Sequence, residues 1–162
     1  MSDAENGSTL EPKQRALAKM NQDAGVWDCR WEFLDDDGGI SATAEGTQTM
    51  AFVIEDAVMQ IMMDVPEMQT QSVTHRFFDP IRQKLFWISV DNSGDQWSFV
   101  EEFDGQPSYS LPHLDSDGVT TLLRFTVLRE TMDEVDVVME LSTDEKNWKP
   151  IFRQYRVRKT VC

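Results

Sequence analysis

The stretch Gly25-Val26-Trp27-Asp28-Cys29-Arg30-Trp31-Glu32-Phe33-Leu34, followed by Asp35-Asp36-Asp37-Gly38-Gly39, decides how this chain is read. Trp27, Cys29, Trp31 and Phe33 alternate with Asp28, Arg30 and Glu32. A period of two places the four apolar residues on one face of a β-strand and the charged ones on the other. One face is therefore buried. The Asp-Gly run that follows is a turn, because Asp side chains close turns by hydrogen bonding and Gly accepts positive φ.

The same grammar repeats along the chain. Further strands are predicted over about 41–54, 57–64, 71–79, 83–91, 96–103, 119–130, 134–142 and 149–159, with a short one near Tyr109. Asp79-Pro80, Asn92-Ser93-Gly94-Asp95, Asp104-Gly105 and Met132-Asp133 separate them. Ala42, Ala44 and Gly46 predict a sharp bend or coil in the second strand. Before the first strand, Glu11-Pro12 opens a short helix over 11–24, with Leu17 and Met20 on its apolar face and Gly25 as its stop. The first ten residues are small and polar.

Nine or ten strands joined by short connections are antiparallel neighbours. No helix lies between them, which excludes a doubly wound sheet. So many strands must close or split into two sheets. The expected fold is all-β: an up-and-down antiparallel barrel with a short N-terminal helix, and a sandwich as the alternative. The expected organisation is a tail and helix over 1–24 and a barrel domain over 25–162.

Charge narrows the partners. The 162 residues carry 29 acids and 15 bases, a net charge of -14. Such a surface repels phosphate backbones and anionic membranes, so nucleic acid is not an expected partner. The excess sits in 26–144, with 24 acids against six bases, whereas 145–160 holds one acid and six bases. That basic strip either pairs with acidic neighbours or receives an anionic ligand. Two cysteines, Cys29 and Cys162, allow one bridge at most. The N-terminus lacks the basic patch and apolar run of a signal peptide, and no apolar run is long enough to span a membrane. A cytoplasmic protein is expected, with a homodimer among its possible assemblies.

The chain resembles the bacterial lipocalin-like, calycin-type domains of unknown function. The resemblance rests on Gly25 to Trp31, Ala44-Glu45-Gly46-Thr47, the corner Phe77-Phe78-Asp79-Pro80, and Lys84-Leu85-Phe86-Trp87 with Asp91. It continues through Ser142-Thr143-Asp144 and Trp148 to Tyr155-Arg156-Val157-Arg158-Lys159, and so spans 25–159. It implies a β-barrel with a central cavity and brings no catalytic residues with it.

Alternation also proposes which side chains face inward. Trp97, Phe99 and Phe103 share a face with Glu101; Val73 and Phe77 share one with His75. Leu122, Thr126 and Leu128 share a face with Arg124, and Ile151, Tyr155 and Val157 share one with Arg153. Charge on an apolar face is costly unless paired or hydrated. These groups are therefore either structural ion pairs or polar contacts within a cavity. Trp87, Trp97 and Phe99 supply apolar wall; His75, Glu101, Arg124, Arg153 and Tyr155 are the candidate polar contacts. Nine Met residues suit either an adaptable lining or ordinary core filling.

Catalytic and metal signatures are missing. There is no phosphate-binding Gly-rich loop, nucleophile elbow or paired zinc spacing. The Asp35–Gly39 run lacks the alternating ligands and distal Glu of a calcium loop. No cofactor or metal is expected. The favoured reading is a barrel that binds a small apolar or amphipathic molecule, anionic ones included. The alternatives are a small enzyme using His75 or Glu101 as acid or base, and an interaction protein with a filled barrel.

Overall fold

The computed structural model describes residues 10–160. Residues 1–9 of the ten-residue polar tail and Cys162 lie outside the described residues. The elements are α1 (Pro12–Asp23), β1 (Gly25–Leu34), β2 (Ile40–Ile54), β3 (Val58–Val65), β4 (Thr70–Asp79), β5 (Lys84–Asp91) and β6 (Gln96–Glu101). They continue with β7 (Ser108–Ser110), β8 (His113–Leu114), β9 (Thr120–Glu130), β10 (Glu134–Ser142) and β11 (Lys149–Arg158). A single 3-10 turn, Pro66–Met68, joins β3 to β4.

Each strand pairs with the next one along the chain, except that β7 pairs with β9 and the two-residue β8 attaches to the start of β9. The ring closes where β1 pairs with β11, from Trp27 opposite Arg158 to Phe33 opposite Phe152. The result is a closed, antiparallel, ten-stranded up-and-down barrel with one extra strand and one short helix. Closure removes the free edges that an open meander would present.

Helix α1 forms because its ends are satisfied. Glu11 and Gln14 make a reciprocal capping box, and Pro12 occupies the first turn, where no intrahelical N–H is needed. At the other end Arg158 of β11 donates to the carbonyls of Gln22 (2.5 Å) and Ala24 (2.6 Å). Gly25 follows with φ of 136°; a Cβ there would lie 2.7 Å from Arg158 Nη1. The last strand therefore ties down the helix that precedes the first. Buried Ala16 and Met20 plug this end of the barrel, called the foot here, against Trp27 and its neighbours.

Gly46 explains the coil of β2. A Cβ at this position would collide with the Asp64 carbonyl of β3, so only Gly permits the approach. Around the core, Met59, Leu85 and Phe99 are fully buried, each contributing about 1.5–3 kcal/mol of hydrophobic stabilisation. No helix among the described residues is long and apolar enough to cross a membrane.

Candidate functional site

Strand register fixes which side chains enter the barrel. The inner face of β1 carries buried Trp27, Cys29 and Trp31. Following the pairs around the ring, β5 turns Leu85 and Trp87 inward, and β6 turns Trp97, Phe99 and Glu101 inward. Trp87 stacks on Phe99 at 4.1 Å between ring centroids, and Phe125 of β9 lies 5.9 Å and 5.6 Å from the two. Towards the opposite end, the mouth, Trp97 stacks on His113 at 4.2 Å. Asp95 joins that pair, accepting from Trp97 Nε1 (2.8 Å) and lying 2.9 Å from His113 Nε2.

Glu101 meets charge at the foot. Its two carboxylate oxygens accept from Arg76 Nε (2.8 Å) and Nη2 (2.5 Å), while Arg76 Nη1 donates to Asp23 of α1 (2.6 Å). Lys19 adds a second contact to Asp23 at 3.1 Å. All three members of this triad are buried. Burial favours the neutral form of Asp23, but Arg76, Lys19 and Arg156 outweigh it, and the carboxyl titrates below its usual range. Burial likewise opposes the charge of Arg76, and Glu101 and Asp23 more than restore it, so its pKa is raised.

The structure corrects the faces expected for four polar candidates. Arg124, Arg153, Tyr155 and His75 point out of the barrel. Arg124 makes a bidentate pair with Glu140 (2.6 and 3.1 Å) and lies over the ring of Trp148 at 4.4 Å. Arg153 donates to Asp136 at 2.8 Å. Tyr155 faces Glu32 at 3.4 Å and lines a shallow outer groove with Arg30 and Glu45. His75 is exposed beside Gln60 at 3.3 Å. It sits on the opposite side of the wall from Glu101, so the two do not form an acid–base pair.

The physical cause is visible on the strands. On β9 both faces are apolar: Leu123, Phe125 and Val127 turn inward, while Trp148 covers Arg124 outside. On β11 the pattern is inverted. Phe152, Gln154, Arg156 and Arg158 face inward, and Ile151, Tyr155 and Val157 face out. The polar foot of the interior makes the inner face of this strand the more polar one.

Arg76 and Arg156 are the interior cations that alternation on these strands concealed. Arg156 sits opposite Cys29 and Val135, with its guanidinium 5.7 Å from the Trp27 ring. Burial lowers its pKa and pushes the Cys29 thiol up to about 12, so the thiol is inert at neutral pH. The signal in sequence is the run Ser72, Thr74, Arg76, Phe78, whose small polar members face inward on β4.

Several inward-facing side chains keep accessible surface: Trp87, Phe125, Met139, Phe152, Gln154 and Arg156. The interior along this wall is lined by side chains that are only partly buried. A side groove of about 390 Å³ also reaches it, between α1, the segment joining β6 to β7, and the lower half of β9. This groove exists because β7 is three residues long and pairs only with Arg124 and Phe125, which leaves the rest of β9 uncovered on that side. Inward-facing Phe125 and Val127 line it, and Arg15–Asp104 and Lys19–Glu130 pairs cross its rim. Among the described residues no group of three or more His, Cys, Asp and Glu side chains is placed to hold a metal.

No family model matches the chain, and no curated protein matches it. Among solved structures it is similar to a protein of unknown function from the DUF3598 family of Nostoc punctiforme PCC 73102, with a TM-score of 0.56 and 12% identity. That likeness covers 86% of this chain and 49% of the other, so the chain spans about half the length of that protein. A designed fluorescence-activating β-barrel matches 93% of this chain and 100% of its own length, at a TM-score of 0.45 and 12% identity. Identity this low is a likeness of fold, and the fold is a closed antiparallel β-barrel.

Proposed function

We propose that the barrel interior binds a small apolar or amphipathic molecule. One observation carries this reading: Trp87, Phe125, Met139 and Phe152 point at the barrel axis yet keep accessible surface. In a barrel of this strand number, inward side chains either fill the interior or enclose a ligand. An apolar lining with a few polar groups at one end is the usual character of a small-molecule site. Trp87, Trp97 and Phe99 supply the wall, with the Glu101 end below them. The groove beside β9 offers a lateral way in.

The test is native mass spectrometry of the protein from its own host, paired with a titration by 8-anilinonaphthalene-1-sulfonate under native conditions. A retained molecule, or saturable dye fluorescence displaced by a long-chain alcohol, is the expected result. No retained mass together with no saturable dye binding would sink the proposal in favour of a filled barrel.

A further inference from the structure

Arg76 and Arg156, two of the arginines turned into the foot, are treated differently by their surroundings. Arg76 donates to two buried carboxylates through three of its nitrogens. Arg156, on the inner face of β11, has few hydrogen-bond partners. Its Nε is buried and has no hydrogen-bond partner. Its Nη1 reaches only the Gln48 amide oxygen at 3.4 Å, beyond the usual range for an N–H···O bond. Among the described residues it makes no salt bridge.

Arg156 as a whole keeps some accessible surface, but a buried guanidinium nitrogen with no acceptor is costly. Its planar fork matches a carboxylate, which accepts two parallel bonds from Nε and one Nη. Gln48 turns its amide oxygen to Arg156, which leaves the amide NH2 free to donate to the same anion. Above Arg156 on the inner face of β11 come Gln154 and then Phe152. Four residues of strand give about 13 Å of wall, room for a medium-length alkyl chain. Met139 and Phe125 continue that apolar side on β10 and β9.

Charge limits the head group. The donors of Arg76 are taken by Asp23 and Glu101 and those of Arg158 by backbone carbonyls, so among the described residues Arg156 is the inward-facing arginine with a buried donor that has no acceptor. The foot already holds two buried carboxylates, Asp23 and Glu101, so each further negative charge on a ligand adds repulsion. We infer that Arg156, assisted by Gln48, receives the carboxylate of a monoanionic single-chain amphiphile bound head-down in the barrel. This rests on the interior being the binding site proposed above.

The experiment compares dodecanoate, dodecanol and dodecyl phosphate by isothermal titration calorimetry on the full chain, with wild type, Arg156→Gln, Arg156→Lys and the outward control Arg153→Gln. Wild type is expected to bind dodecanoate at least tenfold more tightly than dodecanol and more tightly than dodecyl phosphate. Arg156→Gln should erase the preference for dodecanoate over dodecanol by weakening the acid alone. Arg156→Lys should keep part of it, and Arg153→Gln should change neither ligand. Equal wild-type affinity for acid and alcohol overturns the head-group assignment while leaving the interior site intact. So does a preference that survives Arg156→Gln. Tighter binding of dodecyl phosphate overturns the monoanion. No binding of any of the three overturns this inference and the site together. The wild-type ratio needs no variant, so a misfolded Arg156→Gln does not shield the inference.

Discussion

The foot of the barrel and the outer face of β9 to β11 both carry arginine–carboxylate pairs, and their surroundings make them different objects. Inside, the side chain of Arg76 is 5% exposed and its partners Asp23 and Glu101 are 4% and 9% exposed. Outside, Arg153 is 38% exposed where it meets Asp136. Water reaches the outer pair through its exposed atoms, although Asp136 Oδ1 and Arg153 Nε are themselves buried. It cannot reach the inner ones, so each inner group depends on the others for its hydrogen bonds. The same residue types that decorate the surface therefore fix how α1 seats on the barrel.

The largest break in that comparison is Arg76→Met. It strands two buried carboxylates, at a cost of about 3–5 kcal/mol. For a domain of this size the midpoint of thermal unfolding should fall by about 6–20 °C. A loss under about 1 kcal/mol would mean that water reaches the foot and that the two regions do not differ. Replacing Asp23 and Glu101 by Leu in the same variant sharpens the point. Well-packed apolar residues often do as well as a buried ion group, so the triple variant should recover much of the loss.

That triad also marks where sequence stopped being informative. The fold was legible because strand alternation and turn chemistry agree nearly everywhere. The predicted helix over 11–24 is Pro12–Asp23, and the strand predicted over 71–79 is Thr70–Asp79. Trp97, Phe99 and Glu101 share the inner face of β6 as alternation predicts, whereas on β5 the outward face of Phe86, Ile88 and Val90 is more apolar than the inner one that carries Trp87. β11 was not legible. Its inner face carries Gln154, Arg156 and Arg158, and its outer face carries Ile151 and Val157, so hydrophobicity points the wrong way. Only the pairing of β11 with β1, where Trp27 and Trp31 bury one face, reveals the true orientation. That pairing joins the two ends of the barrel and leaves no local trace.

Acid provides a second, smaller test. Asp23 has its pKa lowered in the folded state, so its ion pairs add stability above the ordinary carboxylate value. As pH falls below about 4, towards the lowered folded value, that contribution is lost. Thermal melts of wild type between pH 7 and 2.5 should show stability dropping in this window. Asp23→Asn should start lower and fall less steeply there. Parallel profiles for the two proteins would remove Asp23 from the account of the foot.

The smallest expected effect is Arg153→Met. Its partner Asp136 stays partly accessible, so losing the pair leaves a carboxylate that water reaches on one side, its Oδ1 being buried. Exposed pairs of this kind contribute about 0–1 kcal/mol. The aliphatic stem of Met can also keep some of the contact that Arg153 makes with the Tyr155 ring. Melting temperature should move little, and the small shift should shrink further with added salt, because exposed charges are screened. Arg124→Met should cost more than Arg153→Met, since it gives up a bidentate pair and the face of Trp148 together. If Arg153→Met instead destabilised as much as Arg76→Met, burial could not be what separates the two regions. The outer wall of β11 would then have to be covered by something in the working protein.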